Sequence, residues 1–210
     1  MGNARVVRYV QRGPHKGLQR PNQAAMRRAL SAFMRAAGLN LADPNLRDTA
    51  QRVTEAFANE FLAGYGATPE EVLGESYPAP SGSAEEMVVI TGLRFRSMCP
   101  HHLLPYEGIA HLAYIPRRRV VGFGRLSALL ECFANRLVLQ EDLARHVAAS
   151  LATVLQSPGA ACILEAEQAC LRMRGERQRE AKTHAEAYEG VLREDGPRRR
   201  ELWARIGRQG

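Results

Sequence analysis

Apolar residues recur three and four apart at Met26, Leu30, Phe33 and Ala37 and then stop at Gly38, which predicts a helix there. A second helix is predicted to open at Asp48 and to carry Val53, Phe57 and Phe61 before Gly64. Thr68-Pro69-Glu70-Glu71 reads as an N-cap, a proline in the first turn and a reciprocal capping glutamate. The first third is therefore helical. The stretch "YPAPSGS" from Tyr77 to Ser83 reads as a linker, and the period then changes to two. Three short β-rich runs follow, Glu86 to Ser97, Ile109 to Ile115 and Arg119 to Gly124, and they predict an antiparallel meander. From Ser127 to Gln156 the helical period returns, with Leu143, Val147, Leu151 and Val154 on one stripe, until Ser157-Pro158-Gly159 ends it. A final strand is predicted from Ala160 to Arg174. Helices grouped around an antiparallel sheet make an α+β domain.

Composition changes this picture little. The chain has 210 residues, 45% apolar and 24% charged, which suits one globular domain with a real core. Much of the formal charge of +7 sits at the ends, at Arg5, Arg8, Arg12, Lys16 and Arg20 and again at Arg198, Arg199 and Arg200. A flexible basic arm over 1–22 and a folded domain over 23–210 are expected, with a solvated arm and tail in preference to a nucleic-acid partner. No apolar run is long enough to cross a bilayer or to serve as a signal peptide, and Val6 stands where a myristoylation signal needs Ser or Thr. A soluble, cytoplasmic protein is expected, without a membrane partner. Cys99, Cys132, Cys162 and Cys170 show no dense disulfide spacing and read as thiols or metal ligands.

The stretch "SMCPHHLLP", Ser97 to Pro105, concentrates the candidate chemistry. Cys99 and His102 have the short spacing with which a turn brings two ligands to one metal, and a distant thiol on a rigid strand would leave one position open to water, as in catalytic zinc sites. Alternation along the last predicted strand puts Gln168, Cys170, Arg172 and Arg174 on one face, which makes Cys170 the candidate. The alternative is that Cys170 is a small core residue and the two histidines sit in a polar turn. Spacing alone leaves both open.

Several segments in register point further. "DTAQRV" (Asp48 to Val53), "SMCPHHLLPY" (Ser97 to Tyr106), "HLAYIP" (His111 to Pro116), Gln140-Glu141 and "CLRMRG" (Cys170 to Gly175) resemble GTP cyclohydrolase I, and the likeness runs from about residue 25 to 205. The resemblance implies the tunnelling fold, with N-terminal helices, then an antiparallel sheet with two long helices. It implies a homo-oligomer as well, a decamer of two stacked five-membered rings with active sites at subunit interfaces. It assigns Cys99, His102 and Cys170 as ligands of Zn2+, His101 as the neighbouring proton-transfer group, and Gln140 and Glu141 as the grip on the guanine edge. Arg52 and Arg174 match triphosphate-binding residues, and Arg125 stands where lysine is usual. In the family chemistry, water made nucleophilic by zinc attacks C8 of the purine and a histidine protonates the ring nitrogen as the bond from C8 to N9 opens. Formate release, rearrangement of the ribose and closure of a pterin ring then give dihydroneopterin triphosphate.

The sequence departs from that pattern at the acid-base and phosphate positions. Gln168 replaces a second catalytic histidine, and an amide cannot exchange a proton near neutral pH. Pro100 replaces a glutamate beside the ligands, Ala128 replaces a phosphate-binding arginine, and "THAEAY" from Thr183 replaces a Ser/Thr-rich stretch. These changes favour a diverged zinc hydrolase acting on a guanine-type nucleotide, one that stops at imidazole-ring opening or hydrolyses a modified purine nucleotide. An ordinary GTP cyclohydrolase I, with Gln168 compensated by water or His184, is the second reading. A non-catalytic nucleotide- or partner-binding paralogue is the third.

Overall fold

The computed structural model describes residues 21–80, 86–175 and 177–207. The basic arm expected over 1–22 lies almost wholly outside them, as does most of the tail of the predicted linker. The described residues open with α1 (Gln23–Ala36), capped by the Asn22 side chain accepting from the Ala25 amide, and α2 (Thr49–Ala56). A π turn over Phe57–Phe61 and a 3-10 turn over Ala63–Gly66 extend α2 to α3 (Pro69–Leu73). The reciprocal cap predicted there is present: Thr68 Oγ accepts from the Glu71 amide, and Glu71 accepts from the Thr68 amide at 2.9 Å.

Six strands follow in chain order among the described residues: β1 (Tyr77–Pro78), β2 (Val88–Met98), β3 (Pro105–Tyr114), β4 (Arg119–Val120), β5 (Gly159–Gln168) and β6 (Thr183–Gly190). Helices α4 (Phe123–Ala134) and α5 (Gln140–Val154) separate β4 from β5, the single turn α6 (Ala169–Arg172) follows β5, and α7 (Val191–Glu194) and α8 (Gly196–Gly207) complete the described chain. The main sheet is antiparallel in the order β2-β3-β5-β6. The third run of the expected meander does not join it. Arg119 and Val120 pair instead with Pro78 and Tyr77 of the supposed linker, and the chain then turns at Gly122 into α4. The sheet also holds a strand beyond those predicted, β6, which pairs along β5 from Ala166↔Thr183 to Gly159↔Gly190.

Strand parity sorts the sheet into two faces. Tyr106, Ala110, Leu112 and Tyr114 of β3 and Ala160, Cys162, Leu164 and Ala166 of β5 face the main core, against Leu126, Leu130, Leu143 and Leu151 of α4 and α5. Each such leucine, taken fully out of water, contributes roughly 1.5–3 kcal/mol. The other face carries a smaller cluster at one end, where Ala113, Ile163, Leu192 and Leu202 meet α7 and α8. Toward the opposite end it is polar: Glu165 accepts from Lys182 at 2.7 Å and stands 3.6 Å from His184, and the lysine holds its carboxyl below the usual range. No helix among the described residues is long and apolar enough to cross a membrane.

One clasp joins the N-terminal helices to this core. Arg136, just past α4, donates through Nε to the carbonyls of Gly64 (3.0 Å) and Cys132 (2.7 Å) and through Nη2 to Ala67 O (3.0 Å), and its guanidinium stacks on Phe133. Gly64 sits so close to α4 that a Cβ there would lie 2.3 Å from Cys132 O. Arg136→Met, which keeps the stem and removes the charge-assisted bonds, is expected to lower unfolding free energy by about 2–3 kcal/mol. Urea denaturation checks this; a loss below about 0.5 kcal/mol would show that the clasp contributes nothing.

Candidate active site

The β2–β3 connection carries the first cluster. Met98 pairs with Pro105, and between them the Cys99 amide donates to Leu104 O and the Leu103 amide to Cys99 O, both at 3.0 Å. Leu103 closes this tight tip in the left-handed region, at φ 52. Cys99 points into the main core and is 7% exposed, whereas His101 and His102 are exposed, their rings 6.4 Å apart and nearly perpendicular. One turn thus buries its thiol and offers both imidazoles outward.

Cys170 arrives differently from the sequence expectation. β5 stops at Gln168, whose partner is Tyr106; the next residue of β3 is Pro105, which has no amide to continue the ladder. The chain winds into α6, so Cys170 and Arg172 are on a helical turn and the strand alternation expected through Arg174 ends six residues early. β2, β3 and β5 are neighbours, so Cys99 and Cys170 still leave the same end of the sheet, from strands roughly 10 Å apart. Among the described residues no three His, Cys, Asp or Glu side chains stand close enough together to hold a metal ion. Two thiols and an imidazole are nevertheless a donor set that suits zinc.

The start of α5 is latched onto the same end. Leu137 forms a parallel bridge with Met98, the Val138 amide donates to Met98 O at 3.2 Å, and the Tyr106 hydroxyl donates to Val138 O at 3.0 Å. Burial pushes the Tyr106 hydroxyl far above its ordinary pKa, so it stays a donor. This latch places Gln140 and Glu141 in the first turn of α5. Glu141 is exposed, whereas Gln140 is 5% exposed and lies between α5, β5 and β6. Its Nε2 donates to Leu164 O (3.2 Å) and Thr183 O (3.0 Å), and its Oε1 accepts from Gln168 Nε2 (2.9 Å) and Thr183 Oγ (2.5 Å).

The basic residues are more dispersed. Arg52 lies on α2, exposed, 4.0 Å from Asp48 and 3.5 Å from Asn45 O. Arg125 lies in the first turn of α4 and reaches Val72 O at 3.4 Å, and Arg174 is exposed beyond α6. His184 pairs with Glu165 across the polar face, whereas Gln168 bonds Gln140 and Thr183 on the helix-covered face. Within one subunit His184 is therefore on the wrong side of the sheet to stand in for a group at 168. Thr183 and Tyr106 were not foreseen as site residues. The alternation of His184 and Glu186 with Ala185 and Ala187 is a period-two signal that could have revealed β6 and the inward face of Thr183.

The family model described as GTP cyclohydrolase I matches residues 26–207. Proteins named GTP cyclohydrolase 1 from Chromobacterium violaceum (35% identical over 201 residues, covering 92% of this chain and 96% of that relative) and Leifsonia xyli subsp. xyli (38% over 186 residues, 89% and 96%) align with it almost end to end. Among solved structures, an archaeosine synthase QueF-like protein in the apo form overlays with a TM-score of 0.43 at 18% identity, over 53% of this chain and 97% of that one. A family match across nearly every described element, with Cys99, His101, His102, Gln140, Glu141 and Cys170 gathered at one end of the sheet, leads to one conclusion: the chain belongs to the GTP cyclohydrolase I family and has its α+β tunnelling fold.

Proposed function

We propose that this protein is a zinc-dependent hydrolase of guanine-type nucleotides that opens the imidazole ring and is altered at the steps that follow. The observation that carries this reading is Gln168: where a second proton-transfer histidine is expected there is an amide, and both of its N–H groups are directed at Gln140 and Thr183. Cys99, His102 and Cys170 would hold zinc, which when bound supplies the Lewis acidity that makes water nucleophilic near neutral pH. His101, exposed at the hairpin tip, delivers a proton to N9 as water adds at C8 and the bond between C8 and N9 breaks, leaving a formamide. Glu141 accepts from the N1–H and the 2-amino group of guanine, a pattern adenine cannot match. Arg52, Arg125 and Arg174 serve the phosphates, with neighbouring subunits of a decameric ring assembly completing each site.

The relatives named GTP cyclohydrolase 1 favour a second reading, the ordinary cyclohydrolase forming dihydroneopterin triphosphate. The position of His184 on the far face of the sheet counts against compensation from within the same subunit.

Metal content tests the ligand set. Protein purified with zinc is expected to hold about one ion per subunit; Cys170→Ala and Cys99→Ala should each lose most of it, while Cys132→Ala, whose thiol lies against Ala67 O and Arg136, should retain it. Full occupancy in Cys170→Ala would remove that residue from the site.

Product analysis by mass and absorbance tests the reaction. With GTP the unsubstituted protein should accumulate the ring-opened formamide, and Gln168→His should raise formate release by about 10²–10⁴-fold, the usual range for general acid-base help. His101→Ala should abolish ring opening. Dihydroneopterin triphosphate formed from GTP by the unsubstituted protein at an ordinary enzymatic rate would sink the diverged reading in favour of the second.

A further inference from the structure

Gln140 is held between two kinds of partner, and one kind fixes the other. Leu164 O and Thr183 O are main-chain carbonyls, which can only accept, so the atom of Gln140 facing them is the amide nitrogen and both its protons are used. Its oxygen therefore faces Gln168 and Thr183. An oxygen can only accept, so Gln168 must meet it with Nε2, at 2.9 Å, and the second proton of that nitrogen points to Thr183 Oγ at 3.4 Å. Thr183 Oγ in turn lies 2.5 Å from Gln140 Oε1 and 3.0 Å from Ala166 O, two acceptors for its single proton. Every hydrogen-bonding position of the Gln140 side chain is thus occupied inside the subunit. Among the described residues, the Gln168 side chain has one polar atom left, its carbonyl oxygen.

We propose that Gln140, Gln168 and Thr183 form one positioning unit: Gln140 pins the first turn of α5 to β5 and β6 without touching the base, Glu141 alone in that turn reads guanine, and Gln168 offers the site only an acceptor. The proposal rests on the reading of this end of the sheet as a guanine-nucleotide site. An imidazole at 168 could make the same donation to Gln140 and keep a nitrogen able to exchange a proton; the amide keeps an oxygen that cannot. Thr183 becomes a positioning residue because, among the described residues, it is the one side chain bonded to both glutamines.

Two measurements on the full-length protein test this. In thermal unfolding without nucleotide, Gln140→Met and Thr183→Val are each expected to lower Tm by about 2–4 °C, and the double variant by clearly less than the sum, because both remove parts of one network. Gln168→Glu, similar in shape but an acceptor only, should lower Tm more than Gln168→Met. Additive losses, or a Gln168→Glu protein as stable as the original, would overturn the unit. In calorimetry with GTP and inosine triphosphate, which lacks the 2-amino group, Thr183→Val should raise both Kd values by the same factor, about threefold to tenfold, and Thr183→Ser should restore them. Glu141→Gln should erase the preference for GTP. A Gln140→Met protein that keeps its Tm but loses that preference would make Gln140 a base contact and refute the proposal. If the unsubstituted protein binds neither nucleotide, the functional reading falls, and the thermal arm still decides whether the unit exists.

Discussion

A buried amide that must satisfy all four of its hydrogen-bonding positions governs the end of this molecule that carries the candidate site. Gln140 sits where α5, β5 and β6 converge, in a core otherwise lined by Leu164, Ala166 and Ala185, and an unpaired polar atom there would be costly. Its partners come from two strands, so the helix cannot slide along the sheet without breaking several bonds together. The register of β5 against β6 sets where Thr183 stands, and the register of β3 against β5 sets where Gln168 ends its strand. The latch from Met98 and Tyr106 to Leu137 and Val138 adds β2 and β3 to the same junction. Tyr106, Gln140, Gln168 and Thr183 are placed by main-chain pairing or by hydrogen bonds at this end, and His101, His102 and Glu141 are left exposed.

The two faces of the sheet divide the labour. One is apolar and covered by α4 and α5, which gives the site its scaffold. The other, away from the cluster under α7 and α8, collects Glu165, Lys182, His184 and His111, and charge pairing there substitutes for packing. His111 Nδ1 also accepts from the Gly92 amide at 3.4 Å, at the irregularity where β2 fits one extra residue, with Thr91 and Gly92 set against the single residue His111. Burial holds this imidazole below its ordinary pKa, which favours the neutral form that can accept.

Much of this was legible in the sequence, for identifiable reasons. Helical periods and the Thr68 cap are local signals, and the structure keeps them. Cys99, His101 and His102 share one turn, so their proximity was readable from spacing. What escaped was set by partners distant in the chain. Nothing near Gln168 says that its ladder ends because the next residue across is Pro105, and nothing near Arg119 says that its partner is Tyr77-Pro78 and not the main sheet. Gln140 could be marked as polar and well placed, but its burial depends on β6, whose alternating polar and small residues were passed over.

The order β2-β3-β5-β6 leaves β2 and β6 as the outer strands of the described sheet. β2 is 11 residues long, and an outer strand of that length carries a row of main-chain donors and acceptors suited to pairing with another chain. Where such a border is closed by a second copy, folding and association become one equilibrium, and the melting temperature climbs with protein concentration. Dilution would then act as a denaturant, and a newly made chain would be most vulnerable to aggregation and proteolysis in the interval before it meets its neighbours.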